Sequence, residues 1–369
     1  MRFAADENNT KITGRTIYRD GVRYLGYTGS SVSFRFKGKT AKVELVSDAS
    51  THEKRDYAWV AVFVKEDKDN EISYGAAADE EPYKRFCLDK DEAEYVLYES
   101  DEEKTVTVTL IKYSEAEYAA CGIKWIETDS EEILTPPAAK KLKIEMVGDS
   151  ITCGYGNEGG VEETQHDTSK ENPMGAYSLL TATHLDADVN VVAWNGKGVI
   201  TAYIGEDAPK VKDADWLVPM LYEYTDAGCE RDYLHTPEDK WEKWDNSNFI
   251  PDIITVYLGT NDASYTDNDA ARNEEFVNGY TKFLGTIRSK NPEIPILCML
   301  GTMDKRLCGS VERAVELFNS KNNTDNVYYL ELPFQDEADG LSINWHPTVK
   351  THRKTAEIVE KKIIEILKK

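Results

Sequence analysis

The amino-acid sequence predicts an all-β unit followed by an α/β unit with a parallel sheet. Three observations predict this order. Apolar and polar residues alternate in the first third of the chain, two prolines then interrupt the pattern, and near-continuous apolar runs separated by helix-like stretches follow. Alternation is typical of strands with one buried face, whereas continuous apolar runs are typical of parallel strands buried on both faces. The 369 residues are enough for two domains, each with its own core.

The first unit, residues 1–130, is predicted to be a β-sandwich. Val32, Phe34 and Phe36 alternate with polar residues, and the alternation resumes at residues 41–45. Gly38-Lys39 predicts a turn between these two strands. More strands are expected at residues 57–64 and 105–110, and no helical period appears before about residue 125. Short alternating strands separated by charged turns favour a sandwich.

A linker is predicted at residues 131–140, because Pro136 and Pro137 can continue neither a strand ladder nor a helix. The α/β unit then covers residues 141–369. Its parallel strands are expected at the five apolar runs 142–147, 189–194, 253–258, 294–300 and 326–332. A final helix is predicted because apolar residues recur at three to four positions, namely Ala356, Val359, Ile363 and Ile366.

The segment 213–250 is irregular and rich in Trp and Tyr. It could fold over the sheet edge as an aromatic rim, or it could be a long loop that packs locally. Exposed aromatic residues could equally form a subunit interface, so a homo-oligomer is one possible state.

The composition narrows the choice of partners. The formal net charge of -23 disfavours nucleic acid and anionic membranes, because phosphate groups are bound by clustered Lys and Arg. No apolar run approaches the ~18 residues of a membrane span. Residues 1–8 contain no apolar signal segment, which predicts a cytoplasmic protein, or a secreted one whose signal has been removed. The six cysteines lack paired metal-type spacing and are expected to be reduced and buried.

Ser150 is the first candidate for chemistry. The apolar run 142–147 ends in Gly148-Asp149-Ser150, so the hydroxyl is expected at the carboxyl edge of the parallel sheet, where α/β proteins place their sites. Serine is a weak nucleophile at neutral pH and needs an adjacent base.

His346 is the candidate base. It lies in Trp345-His346-Pro347, after the last predicted strand and just before the final helix, from where its imidazole can reach the end of the first parallel strand. The other five histidines lack a motif that places them at this edge, namely His52, His166, His184, His235 and His352.

Three donors could stabilise the oxyanion of an acyl-transfer reaction. The backbone N–H of Ser150 is one. Gly196 follows the second parallel strand, and without a side chain its N–H can approach a substrate closely. Asn261 follows the third strand and can offer its side-chain amide.

Two other chemistries are disfavoured. Residues 154–159 match a dinucleotide fingerprint, but no strand immediately precedes them and the acidic Glu158, Glu162 and Glu163 would repel a pyrophosphate. The sequence has no His-Glu-x-x-His or Cys-x-x-Cys cluster, so a catalytic metal is not expected.

The four blocks around Ser150, Gly196, Asn261 and His346 resemble those of the SGNH (GDSL-type) hydrolases. The longer string at residues 148–159 is similar, more specifically, to the acetyl-xylan esterases of carbohydrate esterase family 2. The resemblance implies a three-layer SGNH domain preceded by a jelly-roll that is like a carbohydrate-binding module. It implies Ser150 as nucleophile, His346 as base, and an oxyanion hole formed by Ser150, Gly196 and Asn261. It further implies removal of O-acetyl groups from xylan or xylo-oligosaccharides without a cofactor.

The sequence departs from the SGNH pattern at one position, because Ile343 stands where these hydrolases place an Asp three residues before the histidine. We therefore expect a Ser–His dyad in which a backbone carbonyl or Asn344 accepts from the His346 ring. Asp149, Asn344 and Trp345 are predicted to support the site. The alternative function is a carbohydrate-binding protein whose esterase domain is weakened or inactive.

Overall fold

The computed structural model describes residues 1–67 and 80–368. Its first sheet is antiparallel and joins nine strands in one hydrogen-bonded network. The strands are β1 (Arg2–Phe3), β2 (Lys11–Thr13), β3 (Thr16–Arg19), β4 (Val22–Leu25), β5 (Ser31–Val46), β6 (Trp59–Glu66), β7 (Lys84–Cys87), β8 (Glu92–Lys112) and β9 (Gly122–Thr128). The order along the sheet is β3-β4-β9-β5-β8-β6-β7, with β1 on β9 and β2 on β5.

One long strand corrects the predicted turn at Gly38-Lys39. β5 runs through both residues, and its pairing with β8 shifts register between Gly38 and Thr40. Such an irregularity changes which parity of residues faces a given side of the sheet. Phe36, before the shift, and Ala41, after it, therefore both face the core of the first unit. The pause in the apolar pattern marks a bulge within one strand, not a hairpin.

The second sheet is parallel and has the order β11-β10-β12-β13-β14. Its strands are β10 (Leu142–Gly148), β11 (Ala187–Ala193), β12 (Ile253–Tyr257), β13 (Ile296–Leu300) and β14 (Val327–Glu331). The longer helices are α2 (Tyr177–His184), α5 (Ala270–Lys290), α6 (Cys308–Asn322) and α7 (Val349–Leu367), and the shorter ones are α1 (Ser150–Cys153), α3 (Val218–Leu221) and α4 (Thr260–Thr266). The predicted antiparallel β unit followed by a parallel α/β unit is confirmed.

The connections place helices on both faces of the parallel sheet. The crossover through α2 leads from β10 to β11, and the crossover through α5 leads the opposite way along the sheet, from β12 to β13. Right-handed crossovers in opposite directions put their helices on opposite faces. α7 packs against α2 and α6 against α5, which gives three layers. The four apolar residues that predicted α7 are all buried.

The position of β10 decides where the site lies. β10 is the first parallel strand in the chain, and its neighbours are β11 on one side and β12 on the other. The chain order therefore reverses beside β10, which opens a crevice at the carboxyl ends of these three strands.

Buried charges hold the first unit on the second. Arg15 is fully buried, and its guanidinium donates to the carbonyls of Tyr222 and Tyr224 at 2.8 and 2.9 Å and to Glu145 at 3.1 Å. Burying a guanidinium is unfavourable unless its donors are satisfied, so this contact fixes how the two units meet. Residues 129–141, between the sheets, contain no helix or strand apart from one isolated bridge between Leu134 and Arg35. The borders of the predicted linker stay a prediction.

The aromatic segment 213–250 packs locally for the most part. Trp241 is buried in a small cluster with Trp194 and Leu221, and Arg231 lies over the ring of Trp216 at 3.4 Å. Of the two interpretations left open by the sequence, local packing describes these residues better than an exposed rim.

Candidate active site

Ser150 lies where β10 ends at the crevice. A Cβ at Gly148 would lie 1.9 Å from Thr152 Oγ1, so glycine at this position leaves the room that the Thr152 side chain of the next turn occupies. Asp149 caps the short helix α1, because its Oδ1 accepts from the backbone N–H of Ile151 at 3.1 Å. Ser150 is therefore the first residue of a helix, and only 4% of its surface is exposed.

His346 meets Ser150 although 196 residues separate them. Its Nε2 lies 2.8 Å from Ser150 Oγ, and its Nδ1 lies 3.1 Å from the carbonyl oxygen of Ile343. A carbonyl can only accept, so Nδ1 carries the proton and Nε2 is free to accept from the serine hydroxyl. Burial lowers the pKa of His346 to about 4 and favours the neutral imidazole that a base requires.

An unusual turn presents the Ile343 carbonyl to the ring. Asn344 and Trp345 are consecutive residues with positive φ, at 51° and 60°. Asn tolerates the left-handed region, whereas Trp does so at a cost. The turn brings the chain back so that the Nδ1 of residue 346 meets the carbonyl of residue 343.

The Ile343 carbonyl thus lies where a carbonyl orienter was expected, whereas the side-chain amide of Asn344 is hydrogen-bonded elsewhere. The Asn344 amide donates instead to the hydroxyl of Tyr155 at 3.1 Å. Asp339 does not reach the ring either, because it forms ion pairs with Lys350 and Lys354. The imidazole is hydrogen-bonded to the Ser150 hydroxyl and the Ile343 carbonyl, and the backbone of Asn344 also acts on it.

The three predicted oxyanion donors come from adjacent strand ends. Asn261 is the second residue of α4, which follows β12, and its Nδ2 donates to the carbonyl of Lys197 at 3.1 Å. This bond ties the Asn261 amide to the loop that holds Gly196. Gly196 has a φ of +70°, which favours glycine. Within the described chain, the N–H groups of Ser150 and Gly196 have no hydrogen-bond acceptor.

Asp149 supports this arrangement as predicted. Its Oδ2 accepts from Asn261 Nδ2 at 3.4 Å, a longer contact than the Asn261 bond to Lys197. Burial raises the pKa of Asp149 to about 7. The carboxyl group thus holds the Asn261 amide and caps α1 at the same time.

Asp262 is a residue of this site that the sequence pattern did not indicate. This residue is fully buried, and its carboxylate accepts from the backbone N–H groups of Val199, Ile200 and Thr201 at 2.8–3.2 Å. It therefore holds the loop that follows Gly196. Burial raises its pKa to about 6, although these three N–H groups act in the opposite direction. The signal in the sequence was a carboxylate directly beside Asn261 at a strand end.

Exposed aromatic side chains flank the site. Trp345 is 64% exposed beside His346, and its carbonyl accepts from Gln335. Tyr203, which the sequence analysis did not select, is 53% exposed, and its backbone N–H donates to the carbonyl of Gly196. Trp345 is thus an exposed ring next in the chain to the base His346, and Tyr203 is an exposed ring whose backbone is hydrogen-bonded to Gly196.

In the described part of the chain, no group of three or more His, Cys, Asp or Glu side chains is arranged to hold a metal ion. None of the described helices is both long enough and apolar enough to cross a membrane.

A serine hydroxyl on a neutral imidazole, with N–H donors from neighbouring strand ends, defines the class of serine-dependent ester hydrolases. Comparison with known proteins narrows the class. Residues 146–354 match the GDSL-like Lipase/Acylhydrolase family, and residues 12–137 match the Carbohydrate esterase 2 N-terminal family. The chain belongs to the GDSL-like lipase/acylhydrolases and, within them, to the family 2 carbohydrate esterases.

Individual relatives agree with this family. The chain is 28% identical to the Cellulase/esterase CelE of Acetivibrio thermocellus over 95% of its own length, but spans only 39% of that relative. It is 26% identical to an Acetylxylan esterase / glucomannan deacetylase of Cellvibrio japonicus, covering 99% of this chain and 91% of that one. A solved family two carbohydrate esterase from Clostridium thermocellum, in complex with cellohexaose, superposes with a TM-score of 0.79 at 27% identity and covers 97% of this chain and 99% of that chain.

Proposed function

We propose that the protein removes O-acetyl groups from acetylated xylan, xylo-oligosaccharides and related sugars through a Ser150–His346 dyad. The observation that carries the proposal is the hydrogen-bonded series from the Ser150 hydroxyl to His346 Nε2 and from Nδ1 to the Ile343 carbonyl. This geometry supports a nucleophile, a base and an orienter without a carboxylate.

The reaction starts when Ser150 Oγ attacks the acetyl carbonyl while His346 Nε2 takes the hydroxyl proton. His346 then returns this proton to the leaving sugar oxygen as the C–O bond breaks, which leaves an acetyl-serine. A water molecule, deprotonated by the same Nε2, then attacks the acetyl-serine. The bond between the acetyl carbon and Ser150 Oγ breaks, His346 returns the proton to Ser150 Oγ, and acetate leaves.

The Ile343 carbonyl replaces part of what a carboxylate does in a triad. Losing the carboxylate of a serine-protease triad lowers kcat by ~10⁴, mainly because the imidazole adopts the wrong tautomer. A carbonyl on Nδ1 imposes the correct tautomer, so it removes this part of the loss. It stabilises the imidazolium less well than an anion would.

The developing oxyanion would be held by the N–H groups of Ser150 and Gly196 and by the Asn261 amide. Asn261 Nδ2 has two hydrogens, and in the free protein one is held by Lys197 and the other, at 3.4 Å, by Asp149. The long bond to Asp149 is the one that can be shared with the substrate at little cost.

The substrate class is supported by three facts. One relative is named an acetylxylan esterase and glucomannan deacetylase. The leaving group of such an ester is neutral, which suits a chain with a formal charge of -23. Trp345, next to His346 in the chain, and Tyr203, whose backbone N–H donates to Gly196, have exposed rings, and aromatic faces pack well on sugar rings.

The test is acetate release from acetylated xylan, acetylated glucomannan and small sugar acetates, compared side by side for the wild type and Ser150→Ala. The wild type should release acetate, and the variant should lose this activity. Undiminished turnover by Ser150→Ala would refute the assignment of the nucleophile.

A second function is favoured by one observation. The solved relative from Clostridium thermocellum was obtained with cellohexaose, an unacetylated glucan. Carbohydrate binding with weak esterase activity is therefore the alternative. Calorimetric titration of Ser150→Ala with cellohexaose and with deacetylated xylo-oligosaccharides would detect it. The location of the protein and its oligomeric state stay predictions.

A further inference from the structure

The segment 114–118 of the first unit, between β8 and β9, lies against the Ser150–His346 site. Its Glu115 is 1% exposed, and Glu115 Oε2 accepts from the backbone N–H of Asn195 at 3.0 Å. Asn195 directly precedes Gly196. A side chain from the first unit thus fixes the loop in the second unit that carries a proposed oxyanion donor.

Glu171 connects this segment to a histidine that the proposed reaction does not use. The Glu171 side chain is fully buried, and its Oε2 accepts from the backbone N–H of Glu115 at 2.8 Å. Its Oε1 lies 2.9 Å from Nε2 of His166. The His166 ring is therefore held in one orientation by a buried carboxyl group.

His166 forms the middle of a stack of rings. Its centroid lies 4.6 Å from that of Tyr118 and 4.3 Å from that of Tyr155, with interplanar angles of 17° and 18°. Tyr155 then contacts His346 at a centroid distance of 4.5 Å and a tilt of 41°. Four rings thus extend from Tyr118, in the first unit, to the base of the dyad.

These contacts supply what the dyad lacks. The backbone acceptors beside Nδ1 fix which nitrogen of His346 is protonated, but they bind at the edge of the ring and do not pack against its faces. Tyr155 lies against the ring, and the Asn344 amide holds the Tyr155 hydroxyl at 3.1 Å. His166 and Tyr118 close the other side of Tyr155, so the stack restricts tilting of the His346 ring.

We propose that the first unit is a positioning part of the active site. Glu115 fixes the oxyanion loop, and Tyr118, acting through His166 and Tyr155, fixes the plane of the His346 ring. The inference rests on the proposed function, because it assigns these side chains to the Ser150–His346 reaction. A displacement of ~1 Å in a catalytic group can lower a rate ~10²-fold, so such positioning has a measurable effect.

Two pairs of variants test the proposal in the full-length chain. Tyr118→Leu removes the ring, and Tyr118→Phe keeps it. Glu115→Ala removes the acceptor for Asn195, whereas Glu115→Gln keeps it. Gln has nearly the same size and shape as Glu and keeps a side-chain oxygen that can accept from the Asn195 N–H.

Positioning predicts a particular kinetic pattern with nitrophenyl acetate. Tyr118→Leu and Glu115→Ala should each lower kcat by ~10-fold or more and change KM by less than ~2-fold. Tyr118→Phe and Glu115→Gln should recover most of this loss. Thermal unfolding midpoints identify variants that have not folded, and because the two pairs remove different contacts, either pair suffices.

A second measurement separates this proposal from the proposed substrate. A fluorophosphonate probe reacts when Ser150 Oγ forms a bond to phosphorus, fluoride leaves and His346 takes the serine proton, so its labelling rate reports the dyad without any sugar ester. A wild type that is labelled but releases acetate from no sugar would refute the proposed substrate alone. Folded Tyr118→Leu and Glu115→Ala variants that keep the wild-type labelling rate and kcat would overturn the positioning proposal. A conservative variant, Tyr118→Phe or Glu115→Gln, that is as impaired as its disruptive partner would overturn it as well.

Discussion

Asn261→Ala is the variant that tests the oxyanion arrangement most directly. The Asn261 side chain is 6% exposed, and its amide lies between the Lys197 carbonyl and Asp149, at the carboxyl edge of β12. Removing one oxyanion donor from a serine hydrolase lowers kcat by ~10²–10³, which corresponds to about 2.7–4 kcal/mol of transition-state stabilisation. We expect a loss in this range, because the ground-state carbonyl gains little from this donor.

The same substitution also removes two hydrogen bonds of the folded protein. The bond to Lys197 at 3.1 Å is of ordinary length, and the bond to Asp149 at 3.4 Å is weak. At ~0.5–1.5 kcal/mol for an ordinary bond, with the buried Asp149 oxygen left without a donor, the free energy of unfolding should fall by roughly 1–3 kcal/mol. Such a loss leaves a typical domain folded at 25 °C, so the kinetic effect can be measured.

The assay is steady-state hydrolysis of nitrophenyl acetate, together with urea unfolding. Asn278→Ala is the matched control, because Asn278 is exposed on α5 and donates only to the Glu274 carbonyl of the preceding turn. It should retain wild-type kcat and change stability by less than ~0.5 kcal/mol. If Asn261→Ala changed KM alone and left kcat intact, Asn261 would bind substrate and would not stabilise the transition state, and the oxyanion assignment would be wrong.

Four further predictions concern the same site. Burial lowers the pKa of His346 from its ordinary value of 6.5 to about 4, so the imidazole stays neutral at pH values below 6.5. We therefore expect kcat/KM to stay level from pH 7 to about pH 5 and then to fall. A fall centred near pH 6.5 would contradict this. The unfolded state binds this proton from pH 6.5 downwards, so the contribution of His346 to the free energy of unfolding should fall between pH 6.5 and 4, whereas the raised pKa values of Asp149 and Asp262 act in the opposite direction. Asp262→Asn should lower kcat several-fold and stability by ~1–3 kcal/mol, because an amide N–H then faces the Val199 N–H; kinetics and urea unfolding equal to those of the wild type would show that this loop does not depend on the carboxylate. Trp345→Ala should raise KM for an acetylated xylo-oligosaccharide by ~5–10-fold, which corresponds to the loss of one aromatic contact of about 1–1.5 kcal/mol. Hydrolysis of nitrophenyl acetate should stay unchanged. Equal effects on both substrates would mean that Trp345 supports the turn that holds His346 and does not bind the sugar.

The sequence predicted the parallel sheet well because its strands are buried on both faces. The apolar run 142–147 became β10 (Leu142–Gly148), and the run 253–258 became β12 (Ile253–Tyr257). Such strands can be predicted without knowledge of the rest of the fold, since a continuous apolar run of five to seven residues has few other ways to be buried. The first unit was harder, because a bulge at Gly38 interrupts the alternation in the same way as a turn does.

The site shows the same division between local and long-range information. Ser150, Gly196 and Asn261 each follow a strand, and the carboxyl ends of adjacent parallel strands must share one edge, so sequence alone indicated that they meet. Which group orients His346 was not decided by sequence, because Asn344 and a backbone carbonyl were equally near along the chain. The left-handed turn at residues 344–345 selected the Ile343 carbonyl and directed Asn344 to Tyr155.

The sequence by itself determined the strands, the order of the two units and the residues at the strand ends, since these depend on local patterns of apolar residues. Only the tertiary structure placed Glu115 beside Asn195 and Tyr118 in the stack that reaches His346. The Glu115–Asn195 contact joins residues 80 positions apart, and both it and the Tyr118–His166 contact lie across the interface of the two units. They depend on how buried groups such as Arg15 dock one unit on the other, and no periodicity in the chain records that docking.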